Sequence, residues 1–191
     1  GAGAHAGVSL FLSLGTGLAG GIYTPGGFCS GVLELGKLIL GVRSGEGDLP
    51  AHDLLKVEGA AQALAGTQRS LFNVLARRGG PQLTDKAEQR AAISKMQNEE
   101  LTADRHEVFQ ELGDWLALFV RELNAYLPVP VEYVQAGGKV TDAVTGQVML
   151  NRAQELLKGH GVDRLEKAED SVFGQAVAIA RAICPSVAKE K

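Results

Sequence analysis

Hydrophobic positions divide the chain into blocks with different rhythms. Val8 to Ile22 and Phe28 to Val42 are two apolar halves separated by Tyr23-Thr24-Pro25-Gly26-Gly27, where proline followed by two glycines breaks regular structure. The two halves predict a pair of helices with a turn. In the second, Phe28, Val32, Leu35, Leu38, Ile39 and Val42 share one face, and Glu34 and Lys37 lie outside it. Further on, Leu54, Val57, Ala61, Leu64, Leu71, Phe72 and Leu75 predict a helix over 51–78, closed by Arg77-Arg78-Gly79-Gly80-Pro81. Thr84 is the expected N-cap of a polar helix over 85–101 with a thin apolar stripe, Ala87, Ala91, Ala92 and Met96. The strongest amphipathic pattern follows, from Val108 through Leu112, Trp115, Leu116, Phe119, Val120 and Leu123 to Leu127, and Pro128 and Pro130 end it. Val131 and Tyr133 alternate as in a short strand before Gly137-Gly138. Helical spacing then returns over 141–158 and again from Asp163 to about Ile183.

These elements predict an all-α fold, a single helical bundle of six or seven helices over 1–191. An apolar, glycine-rich N-terminal helical hairpin (1–43) precedes central helices (51–127) and C-terminal helices (141–184). Charge sharpens the division: of the 19 basic and 22 acidic side chains, none lies between Gly1 and Leu33. The stretch from Ala6 to Thr24 is about as long as a membrane crossing, but glycine, serine and threonine dilute it and no basic residues precede it. The expected state is cytoplasmic, with recruitment to a membrane as a conditional event. A net charge of −3 gives no footprint for nucleic acid.

Candidate chemistry is sparse. Cys29, in Gly26-Gly27-Phe28-Cys29-Ser30-Gly31, sits at a predicted helix start, where the helix dipole favours thiolate. The string resembles the cysteine-helix start of NlpC/P60-type peptidases, which implies a cysteine hydrolase, yet no histidine follows on a strand to serve as its base. Buried structural cysteines are the competing reading for Cys29 and Cys184. Gly15-Thr16-Gly17 with Gly20-Gly21 is similar to a phosphate loop but lacks the Gly-Lys-Ser/Thr ending and a recognisable preceding strand, so helix packing is the expectation. The acidic stretch Glu99, Glu100, Asp104, Glu107, Glu111 and Asp114 reads as a solvated face. Neither metal nor cofactor is expected. Gly17 and Gly21, and Gly27 and Gly31, are four apart, which on helices makes small contact faces.

Gly17-Leu18-Ala19-Gly20, Cys29, Val32-Leu33-Glu34-Leu35 and Phe119-Val120-Arg121-Glu122-Leu123 running to Leu127-Pro128 together resemble, over residues 7–128, the HeLo-type helical domains of cell-death proteins. The resemblance implies a non-enzymatic bundle whose sheltered N-terminal segment, Leu10, Phe11, Leu12, Leu14, Leu18 and Ile22, is released for membrane binding or oligomerisation. Pro25-Gly26-Gly27 departs from a single uninterrupted inserting helix. Self-association or a protein partner follows from this reading. The alternative is a constitutively folded module that binds a protein or an apolar ligand.

Overall fold

A computed structural model of the chain describes residues 7–24, 27–28, 33–40, 59–83 and 85–168. The opening apolar block is not helical. It forms a β-hairpin of β1 (Ser9–Leu14) and β2 (Leu18–Thr24), antiparallel, with Leu14 opposite Leu18 across the Gly15-Thr16-Gly17 turn. Successive side chains of a strand point to opposite faces. Leu10, Leu12 and Leu14 therefore line one face, each with no exposed surface, while Ser9 and Phe11, on the other, are buried too. A strand covered on both faces reads as a continuous apolar run.

β3 (Gly27–Phe28) extends the hairpin on one side. On the other, β4 (Tyr133–Gly137) lies parallel to β1, with Ser9 paired to Tyr133, and β5 (Arg164–Lys167) lies parallel to β4. The strand order is β3-β2-β1-β4-β5. Parallel neighbours need crossovers, and these are helical. Between β1 and β4 come α1 (Ala61–Leu64), α2 (Gln68–Arg77), α3 (Lys86–Asn98) and α4 (Ala103–Tyr126), and between β4 and β5 comes α5 (Ala143–Leu157). The all-α bundle is thereby replaced by a mixed α/β fold, and the N-terminal helical hairpin by two strands of the sheet.

The amphipathic spacing from Val108 to Leu123 became α4, the longest helix described, whose Leu112, Leu116, Phe119 and Val120 join Leu10, Leu12, Leu14, Val134 and Met149 in one core. α4 and α5 approach closely at Gly113, where a Cβ would stand 2.6 Å from the Met149 carbonyl oxygen. The helix expected over 51–78 is broken within its described part. Gly66 takes a left-handed φ of 70°, and Thr67 restarts the helix by accepting the Ser70 N–H at 3.1 Å. Asp85 caps α3, accepting from the Ala87 and Glu88 N–H groups. Arg164–Lys167, expected as the first turn of a last helix, is strand β5, and residues 169–191 lie outside the described residues.

The releasable-segment reading fails for the same structural reason. Leu10, Phe11, Leu12 and Leu14 occupy a strand bonded along both edges, to β2 and to β4, and Leu18 and Ile22 are buried in β2. Removing that strand would open the middle of the sheet. Among the described residues, no helix is long and apolar enough to cross a membrane.

Burial pushes the Tyr133 phenol up to about 12, helped by its hydrogen bond to Glu166. A phenol whose pKa is raised in the folded state holds its proton where the unfolded chain loses it. Its contribution is complete below pH 10 and is lost as pH rises from 10 towards 12. Denaturant titrations across this window should show stability falling more steeply in the wild type than in Tyr133→Phe; parallel profiles would contradict it.

Candidate functional site

β1 and β4 run side by side in the same direction, so their carboxyl ends finish at one edge of the sheet. Ligands of open α/β sheets bind outside that edge. Both ends here are glycine turns. After β1, the Gly15 carbonyl accepts from the Gln68 N–H at 2.9 Å and the Thr16 carbonyl from the Gln62 side-chain amide at 3.2 Å. A trans peptide places each C=O opposite the following N–H. The Thr16 and Gly17 N–H groups accordingly face away from α1 and α2, and both residues are exposed.

Gly15 and Gly17 are not required by the turn itself. Neither has a left-handed φ, and a Cβ would meet nothing closer than 4.0 Å at Gly15 or 3.9 Å at Gly17. Without side chains at these two positions, the backbone of the exposed turn is approachable from outside the protein.

The turn after β4 is different. Gly138 has φ 136°, and a Cβ there would lie 2.2 Å from the Leu14 carbonyl oxygen, so this glycine is what lets the second turn press against the end of β1. A 3-10 turn, Lys139–Thr141, leads into α5. The Gly138 carbonyl accepts from the Thr141 N–H at 3.0 Å and from its Oγ1 at 2.7 Å, and the Lys139 carbonyl accepts from the Asp142 N–H at 3.2 Å. Asp142, the N-cap of α5, makes no side-chain cap; its carboxylate is 2.7 Å from Lys167 Nζ. Val144, in the first turn of α5, is 66% exposed. Two backbone turns and a helix N-terminus at one sheet edge make a setting suited to anionic groups such as phosphates.

Gly15-Thr16-Gly17 has in β1 the preceding strand that its sequence did not reveal, and it still lacks the Gly-Lys-Ser/Thr ending of a phosphate loop. The signal was the alternation Ser9-Leu10-Phe11-Leu12-Ser13-Leu14. Gly137-Gly138 was legible only as a turn, because its partner, the end of β1, is distant in sequence. Of the small residues expected at helix contacts, Gly17 closes the hairpin, Gly21 lies within β2 opposite Phe11, and Gly27 lies in β3. Gly31 and the proposed nucleophile Cys29 lie outside the described residues. The acidic stretch is occupied by ion pairs: Glu111 with Arg77 at 2.6 Å and Arg78 at 3.0 Å, Glu107 with Arg78 at 3.0 Å, and Asp114 with Arg152 at 2.7 Å. The Glu107 and Glu111 hydrogen bonds raise the Arg78 pKa. Among the described residues, no group of histidine, cysteine and carboxylate side chains could hold a metal ion.

No family model and no curated protein sequence matches the chain. Solved structures do match it in fold. The ROK hexokinase from Thermus thermophilus superimposes with a TM-score of 0.58 at 19% identity, over 92% of this chain and 56% of that one. A ROK family glucokinase from Streptomyces griseus, in complex with glucose and AMPPNP, gives 0.57 at 19%, over 96% and 62%. A ROK family transcriptional regulator, a homologue of the E. coli MLC protein, gives 0.61 at 18%, over 92% and 46%. The chain thus has the α/β fold seen in ROK proteins and spans roughly half to three fifths of their length. That fold overturns the HeLo-type resemblance and, with it, the cell-death effector reading.

Proposed function

We propose that this chain forms the nucleotide-holding part of a sugar kinase, with the Gly15-Thr16-Gly17 and Gly137-Gly138 turns receiving the phosphates. One observation carries the reading: Gly15 and Gly17 lack side chains where the fold has room for them, in an exposed turn whose Thr16 and Gly17 N–H groups face away from α1 and α2. A bound polyphosphate needs the backbone bare at that place. The likeness in fold to a glucokinase solved with glucose and AMPPNP supports a nucleoside triphosphate as the phosphate source and a hexose as acceptor. The turns act by orientation and by neutralising phosphate charge with fixed N–H dipoles. A ROK regulator shares the fold, so an acidic net charge does not exclude nucleic acid as a partner of this architecture.

Gly15→Ala and Gly17→Val test the reading. Both variants are expected to keep their unfolding free energy within about 0.5 kcal/mol, as substitutions into open space do. Affinity for AMPPNP should nevertheless fall about tenfold or more. Unchanged affinity in both variants, or no binding by the unmodified chain, would overturn the proposal. Hexose-dependent release of ADP separates a kinase from a protein that only binds nucleotide.

A further inference from the structure

The second turn is fastened by more than its own backbone. Its two carbonyls each accept twice: Gly138 from the Thr141 N–H and hydroxyl, Lys139 from the Asp142 N–H and from the side-chain amide of Gln97. Gln97 belongs to the last turn of α3, far away in sequence, whereas the other three donors lie within the turn or at its helix cap. α3 has little else to do in the core. Only Gln89 and Ile93 are buried along its length, with Ala92 and Met96 packed at the edge. It is nonetheless held at both ends. Asp85 caps its start and Gln89 Nε2 donates to the Leu83 carbonyl at 2.7 Å; beyond its other end, Glu99 pairs with Lys95 and Arg105. A polar helix fixed at both ends, with one amide reaching the site turn, has the form of a strut.

We infer that Gln97 is a positioning residue for the nucleotide site, the donor through which α3 sets the orientation of the Lys139–Val140 peptide in the second phosphate turn. This rests on the function proposed above and deepens it, by making nucleotide affinity depend on where α3 sits. Fixing the Lys139 carbonyl fixes the plane of its peptide and steadies the turn between Gly138 and the first N–H groups of α5. Any contact that shifts α3 is then felt at the phosphates, without touching them.

The distinguishing variants are Gln97→Glu and Gln97→Lys. Glutamine, glutamate and lysine have similar helix propensities, so α3 is preserved in both. Glutamate sets an acceptor against the Lys139 carbonyl, whereas lysine still donates. Amide hydrogen exchange on the full chain is expected to quicken about fivefold or more at residues 138–142 in Gln97→Glu and to stay near the wild-type rate in Gln97→Lys, as loss of one hydrogen bond implies. AMPPNP affinity should follow the same order, about fivefold weaker in Gln97→Glu only. Equal exchange in all three proteins, or equal quickening in both variants, would overturn the inference. If the unmodified chain binds no AMPPNP, the nucleotide reading falls, and the exchange contrast alone still decides whether Gln97 holds the turn.

Discussion

Gly138→Ala is expected to destabilise the protein by about 3 kcal/mol or more, the combined cost of a strained backbone and a collision with another strand. Its φ of 136° is one that residues with a side chain rarely adopt, and the atoms an added Cβ would meet, the Leu14 carbonyl oxygen at 2.2 Å and carbon at 2.7 Å, are backbone. No rotamer change relieves such a contact. Either β1 and the turn separate, breaking the seam between parallel strands, or Gly138 leaves its conformation and the 3-10 turn behind it. Urea denaturation measures the loss. AMPPNP affinity should decline with it, in contrast to Gly15→Ala, where stability is kept. A variant as stable as the parent would mean that the two turns do not meet as described.

Leu12→Ala should cost about 2–5 kcal/mol, the range for truncating a fully buried leucine where the cavity cannot close. Leu12 has no exposed surface and sits in the middle of β1, between β2 and β4, facing the core shared with α4 and α5. Against the 5–15 kcal/mol typical of a domain, this is a large fraction. The same variant separates two accounts of the charge-free opening. A segment held loosely and released on demand would leave the rest of the protein nearly unaffected, and only local protease sensitivity would change. A central strand instead transmits the damage to the whole cooperative transition, so helix and tyrosine signals should shift together to lower denaturant. Separate transitions, or no shift, would argue against the sheet core.

Legibility in the sequence followed the range of the interactions. α4 and α5 were readable because their stripes, Val108 to Leu123 and Val148 to Leu157, are formed by near neighbours on one helix face. β4 was readable because Val131 and Tyr133 precede Gly137-Gly138. β1 was not. Leu10, Leu14 and Leu18 are spaced by four and satisfy a helix, while Leu10, Leu12 and Leu14 satisfy a strand equally well. Glycine clustering, a poor choice within a helix, argues against one, yet four-residue glycine spacing also suits helix packing. The candidate site was half visible, since Gly15-Thr16-Gly17 resembles a phosphate loop in composition. Its other half needed the parallel pairing of β1 with β4, and nothing local encodes that contact.

That pairing has a consequence for how the protein is made. β1 meets β2 almost at once after leaving the ribosome, yet its other edge waits for β4, about 120 residues later, and such distant closures make folding slow. Until α4 and β4 emerge, the hairpin holds out an unpaired strand edge and a face of Leu10, Leu12 and Leu14 that lacks the packing of α4. The most apolar and least charged block is thus synthesised well before the strand and helix that complete it, and surface exposed in that interval is the kind that chaperones shield.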